Sequence, residues 1–433
     1  MTRDRTFILL FLIMLVIAAG NTALQSVLPA LGRLLGVPDS AVAAAFSVSA
    51  LLWVLAAPFW ANRSDRSGRR TMVLLGIWGF TVSLFLCGLF LMMGINGWVA
   101  PVTAFLLFIG ARLIYGTFGA AAPPAVQAMV AAATTREERT RALTLLGSAF
   151  GLGTILGPAF APYLVLGSLG RIEIGLAGPA FIFALVGIAI AVATTRMLGE
   201  SLPSAESRGA ASAYPSIGGQ SSGASITAAT AERSERVGFF DPRIRTWMII
   251  GLVMGHAQAM TGQAIGFLII DRLAVPPMEA LQPTGIVLMM GAGAALLAQW
   301  GIIPILNLKP RALVLWGMVI GAAGCVVTGT AGSLYGIATG FALASLGFGF
   351  LRPGFTAGSS LAVGPGGQGS VAGKVTSING AAFVLGPSIG VGMYELWRPL
   401  PYLTAGAVLV ALLIYASISL GVFRRAESPD PER

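Results

Sequence analysis

The chain's single histidine, His256, lies within a long apolar run, with Gln263 seven residues further on. Seven residues make two helical turns, so both side chains fall on one face with Met260 between them. Histidine changes charge near neutral pH, which makes His256 a candidate for taking up and releasing a proton. Asn21 and Gln25, four residues apart, share a face of another run. Arg112 and Arg352 are cations embedded in further runs, and Asn379 stands in one more. An arginine so placed is costly unless it faces a cavity or a partner. No acid accompanies these groups: residues 6–31 and 101–131 contain neither Asp nor Glu, and Asp271 and Glu395 fall at the ends of their runs. The polar set therefore suits hydrogen bonding, charge recognition and proton exchange. Two embedded cations without an embedded acid favour neutral, zwitterionic or anionic ligands over cationic ones. Enzymatic chemistry has no visible basis, because there is no phosphate-cradling Gly-x4-Gly-Lys-Ser/Thr loop, no nucleophile–base pair and no zinc-ligand spacing. Cys87 and Cys325 fit as small apolar packing residues.

These residues need an apolar scaffold to hold them, and the composition supplies one. Of 433 residues, 56% are hydrophobic and 10% charged, and the mean hydropathy is +0.83. A soluble domain of this make-up would expose large apolar patches. Runs long enough to span a bilayer as helices lie at 6–31, 41–61, 71–93, 101–131, 143–167 and 176–198. A second set lies at 245–270, 284–306, 312–331, 334–363, 374–397 and 401–423. The first run is too long for the apolar region of a cleaved signal and reads as a retained span. The 57 glycines suit close helix–helix approach in lipid. Residues 199–243 are rich in Ser, Gly and Ala and poor in large apolar side chains, as a flexible linker would be. The reading is an all-α polytopic membrane protein with twelve transmembrane helices in two pseudo-symmetric six-helix bundles, 1–198 and 244–433, joined by the linker 199–243 and ending in a short tail.

Residues 60–70 concentrate Arg63, Asp65, Arg66, Arg69 and Arg70 between two apolar runs, and such a cluster must turn at a membrane surface. With twelve spans both termini share one side. On that side fall 21 of the 27 Lys and Arg, while Arg33, Arg171, Arg272 and Arg398 fall on the other. Cationic loops stay in the cytoplasm, so both ends are expected there. The net charge of +10 is thus spread through short loops and forms no nucleic-acid-binding face.

The halves look duplicated. Ser148-Ala-Phe-Gly151-Leu-Gly-Thr-Ile-Leu-Gly157-Pro158 aligns with Ser377-Ile-Asn379-Gly380-Ala-Ala-Phe-Val-Leu-Gly386-Pro387 at an offset of 229, and the same offset puts Pro124 on Pro353. Duplication implies a binding site near mid-membrane where the halves meet.

Ala61-x3-Asp65-Arg66-x-Gly68-Arg69-Arg70 resembles the signature loop of the major facilitator superfamily, departing only at Ala61, where the family has glycine. With the six-plus-six layout the resemblance covers the whole chain. It implies that Asp65, Arg66, Gly68, Arg69 and Arg70 form a conformational latch. Arg112-x3-Gly116 resembles the superfamily's Arg-x-x-x-Gly motif, and Gly153-x3-Gly157-Pro158 resembles its antiporter motif, with Ala161 and Pro162 where the family favours Gly-Gly. The resemblance implies a secondary transporter working by alternating access, with proton-coupled efflux of small hydrophobic or amphiphilic compounds as the leading expectation. The rivals are a metabolite uptake symporter or facilitator, a lipid or lysolipid translocator, and a non-transporting sensor. Asn21, Gln25, Arg112, His256, Gln263, Arg352 and Asn379 are the expected cavity or coupling residues. Expected partners are a small-molecule substrate, protons and the lipid bilayer of a bacterial-type inner membrane. No cofactor or metal is expected, and the working unit is taken as a monomer.

Overall fold

A computed structural model describes residues 3–134, 136–199 and 235–426. The apolar runs form helices α1 (Arg3–Leu34), α2 (Asp39–Ser67), α3 (Arg69–Ile95), α4 (Pro101–Ala133), α5 (Arg136–Phe160) and α6 (Gly178–Met197). The second half contributes α7 (Pro242–Leu273), α8 (Leu281–Leu306), α9 (Pro310–Thr330), α10 (Leu334–Leu361), α11 (Pro365–Leu396) and α12 (Leu400–Ala426). Eleven of these are long and apolar enough to cross a membrane. The twelfth, α7, is diluted by His256, Gln258, Thr261 and Gln263. The chain is a multi-pass membrane protein.

Proline sets many of the boundaries. Pro101, Pro179, Pro242, Pro310 and Pro365 occupy the first or second position of their helices, where a fixed φ helps and the missing N–H costs nothing. Inside α4, Pro123 and Pro124 cannot donate to the preceding turn, and that turn tightens to 3₁₀ at Gly119–Ala121. In α8, Pro304 follows a π-helical turn at Leu297–Ile302. Gly68, with φ of +89°, joins α2 to α3 in a conformation that disfavours any side chain.

Three boundaries differ from the sequence expectation. The fifth span ends at Phe160 instead of 167. After Pro158 and Pro162 the chain leaves the helix and forms a small antiparallel hairpin, β1 (Leu166–Leu169) with β2 (Ile172–Gly175), Ser168 opposite Glu173. The Gly364–Gly367 stretch does not delay α11 to 374; Pro365 starts it nine residues earlier. Of the expected linker, residues 200–234 lie outside the described residues. Residues 235–241 are ordered against α11, with Glu235 N donating to Gly366 O (3.0 Å), Val237 N donating to Ser370 Oγ (3.2 Å), and Val237 buried.

The hairpin marks one end of the bundle, and the α2–α3 turn marks the other, arginine-rich end. Packing follows the duplication: α1 lies against α5, and α7 against α11. These contacts are close because glycine faces them at equivalent places. A Cβ at Gly157 would collide with the Thr22 side chain and the Ala19 carbonyl, and one at Gly386 would come within 2.5 Å of the Ala259 Cβ. Between the halves, α2 meets α11, α5 meets α8 and α1 meets α7. The apolar core shows how unevenly they join. At the hairpin end Phe267, Ile270, Val391 and Tyr394 merge with the core of the first bundle. Towards the arginine-rich end the second bundle packs around its own cluster of Ile244, Met254, Phe348, Phe355 and Leu409.

Gly157→Ala should lose about 1–3 kcal/mol of stability from overpacking, read as a lower thermal midpoint and folded yield in detergent. Gly151→Ala is the control: a Cβ there meets nothing within 4 Å, so its midpoint should hold or rise.

Candidate functional site

Where the halves meet near mid-depth they leave a recess of about 200 Å³, bounded by α1, α5, α7, α8, α10 and α11. Its polar lining is Thr22, Gln25, Ser26, Thr154, Gln258, Thr261, Gln263, Thr284 and Ser345, and its apolar wall includes Phe341, Phe348, Phe383 and Leu288. No Asp, Glu, Lys, Arg or His is among the lining residues. Pro158 and Pro387, equivalent in the repeat, both reach it.

The threonine hydroxyls are already committed as donors. Thr22 donates to Ala18 O (2.9 Å), Thr154 to Gly151 O (2.7 Å), Thr261 to Ala257 O (2.8 Å) and Thr284 to Ala280 O (2.7 Å). Towards a ligand they present acceptor lone pairs, and the donors come from the glutamine amides and the Ser345 hydroxyl. Gln25 Nε2 donates to Gln263 Oε1 across the interface at 2.7 Å. These residues stand 238 positions apart, on the first helix of each half.

Of the residues singled out by sequence, the structure brings Gln25 and Gln263 together at the recess. His256 lies on the same face of α7, two turns or ~10 Å towards the arginine-rich end; it is half-buried, with Nδ1 2.8 Å from Leu252 O. Asn21 and Arg112 do not line the recess. They are 0% and 1% exposed inside the first bundle, where Arg112 Nη2 donates to Asn21 Oδ1 at 2.8 Å. The guanidinium lies 4.8 Å from the Phe46 ring centre and 4.9 Å from that of Tyr115, so aromatic faces hold the cation. Arg352 and Asn379 are buried and stand off the lining. Arg352 Nη2 donates to Gln258 Oε1.

In the signature turn, Arg69 is fully buried and donates to Ala128 O at 2.8 Å, while Arg70 Nη2 donates to Thr195 O at 2.7 Å. Both bonds tie α3 to helices of its own bundle. The side chains of Asp65 and Arg66 lie outside the described residues. Gly153 and Gly157 face α1, and Pro158 faces the recess.

Sequence reasoning missed the seal at the hairpin end. Arg33 Nε donates to Asp39 Oδ1 at 2.6 Å, and the same guanidinium reaches Asp271 across the interface at 3.1 and 3.2 Å. Tyr394 Oη donates to Asp271 Oδ2 at 2.6 Å, Arg398 Nε lies 3.4 Å from that oxygen, and Ser40 N donates to Glu395 Oε1 at 2.8 Å. Three acids and two arginines thus clasp α1 and α2 to α7 and α11. A usable signal was present, because Arg33 and Asp271 share the 238-residue offset of Gln25 and Gln263.

This arrangement of two six-helix bundles around a central recess agrees with the family profile "Major Facilitator Superfamily", which matches residues 10–386. The chain belongs to the major facilitator superfamily. It is 26% identical over 196 residues to Multidrug resistance protein 2 of Bacillus subtilis (strain 168), covering 45% of this chain and 44% of that protein. It is 32% identical over 139 residues to the class B Tetracycline resistance protein of Escherichia coli, covering 32% and 30%. The match thus spans less than half the length of these curated relatives. Among solved structures, the human organic anion transporter MFSD10 (TETRAN) superposes with a TM-score of 0.64 at 19% identity, covering 96% of this chain and 100% of that one. An inward-facing bacterial homologue of the iron transporter ferroportin gives 0.68 at 13% identity, covering 96% and 100%.

Asp271→Asn should loosen the clasp, since it weakens charge-assisted bonds to Arg33 and Arg398. Labelling of a Gln25→Cys reporter by an impermeant maleimide added at the hairpin side should rise severalfold. Unchanged labelling would show that Asp271 does not hold the seal.

Proposed function

We propose that this superfamily member exports small hydrophobic or amphiphilic compounds across a bacterial cytoplasmic membrane, coupled to protons. The observation that carries the reading is the recess between the bundles, with the interface clasped on one side and the cores parted on the other. The arginine distribution supports a cytoplasmic location for the arginine-rich end and for both termini. On this reading the clasped hairpin end belongs to the state that receives substrate from the cytoplasm. The wall of Phe341, Phe348, Phe383 and Leu288 suits an apolar ligand body, and the glutamine amides suit one or two polar groups. The multidrug and tetracycline resistance proteins among the bacterial relatives support efflux as the direction.

Two titratable places face the other half and could carry the proton: His256, and the Asp39–Asp271–Glu395 group beside Arg33, Tyr394 and Arg398. His256 lies on the side from which substrate enters, and the acids lie where the clasp must part. The signature turn would serve the opposite state. When the hairpin end opens, Asp65, Arg66, Arg69 and Arg70 would meet the second bundle and hold the cytoplasmic ends together, with Gly68 allowing the tight approach of α2 and α3.

The test is flux from proteoliposomes loaded with a panel of hydrophobic dyes under an imposed pH gradient. The wild type should accelerate efflux with the gradient, and His256→Ala or Asp271→Asn should uncouple it. Gradient-independent flux would remove proton coupling, and no flux for any dye would remove export. Asp65→Asn should slow turnover about tenfold while leaving dye affinity within twofold. The reverse pattern, lost affinity with normal turnover, would contradict the latch.

A further inference from the structure

Arg352 follows Phe348 by one turn on α10 and so shares its face, next to the recess on its arginine-rich side. It is 5% exposed. A guanidinium carries five N–H donors, and the partner shown for this one is the neutral carbonyl oxygen of Gln258, a residue of the recess wall. The acids on the inter-half face are too distant to neutralise it. Asp271 lies thirteen residues beyond Gln258 on α7, ~20 Å along the helix, and is already held by Arg33, Arg398 and Tyr394. Among the described residues this buried charge is met by one neutral amide, which leaves it able to bind an anion.

The rest of the recess fits the same ligand. Its four threonines present acceptors, which suit no carboxylate, whereas Gln25, Gln258, Gln263 and Ser345 bring donors to the lining and Arg352 stands directly behind Gln258. Phe348, beside that donor group, offers an aromatic wall.

We propose that the recess takes compounds joining an aromatic or aliphatic body to one anionic group, a carboxylate or its equivalent. Arg352 binds the anion, and Gln258 is the internal stand-in that the anion displaces. On displacement the Gln258 carbonyl leaves the guanidinium, and the carboxylate takes its place in the bidentate geometry that neutral amides cannot match. This deepens the export reading and rests on it for the direction of transport. Binding itself does not depend on that direction.

The test uses one skeleton in two charge states, 2-naphthoate and 2-naphthamide, titrated calorimetrically into the purified full chain in detergent. The wild type should bind naphthoate at least tenfold more tightly than the amide. Arg352→Gln should erase that difference while leaving the affinity for naphthamide within twofold, and Arg352→Lys should keep part of the preference. Gln258→Leu removes the stand-in and should tighten naphthoate severalfold with no gain for naphthamide. If Arg352 and Gln258 merely brace α10 against α7, both ligands weaken together in every variant, which overturns the proposal, as does equal affinity in the wild type. Should Arg352→Gln fail to fold, the wild-type preference and the Gln258→Leu result decide alone. Preferred binding of naphthoate without gradient-driven flux would leave the anion site standing and overturn only export.

Discussion

In a bilayer a polar group between helices has no water to fall back on, so it must meet a partner or border a cavity. The arrangement of this chain follows from how two copies of one six-helix plan meet that requirement. The first helix of each copy turns some of its polar residues towards the other, and positions 238 apart come face to face: Gln25 with Gln263 at the recess, Arg33 with Asp271 at the hairpin end. Two-fold pairing places like against like at mid-depth, where amides can serve as both donor and acceptor. It places opposite charges at the surface, where water eases the cost of burying them.

The second helix pair that matters is α5 and α11. Each carries a Gly-Pro step at the same repeat position, the glycine pressed on α1 or α7 and the proline facing the recess. A side chain added at either glycine would push α5 away from the helix that carries Gln25, or α11 away from the helix that carries Gln263. Recess shape and helix packing are therefore set by the same few residues, and a change of ligand range by mutation there is tied to stability.

Much of this was legible in sequence for physical reasons. Twelve apolar runs follow from bilayer thickness, and Gly68 announces a turn that only glycine enters easily. What escaped was mostly a matter of partners. Asn21 and Arg112 read as cavity residues, yet bond each other among aromatic rings inside one bundle. Asp271 and Glu395 read as acids at the ends of their runs, and Asp39 drew no reading, because a clasp between residues hundreds of positions apart leaves no local trace. The breaker stretch at 364–367 read as a gap, although proline at a first helical position starts a helix as readily as it ends one. The hairpin after α5 replaced what looked like the last turns of a span, since apolar composition alone does not separate a short strand from a helix end.

The dilution of α7 by polar residues has a consequence for how the protein is made. A segment that carries His256, Gln258, Thr261 and Gln263 partitions into lipid less readily than its eleven companions. Its entry into the membrane then leans on α1, α10 and α11, which supply the surfaces and hydrogen-bond partners that lipid lacks. Evolution of the recess towards more polar ligands is thereby bounded at biogenesis: each further polar side chain on α7 taxes insertion before it ever meets a substrate.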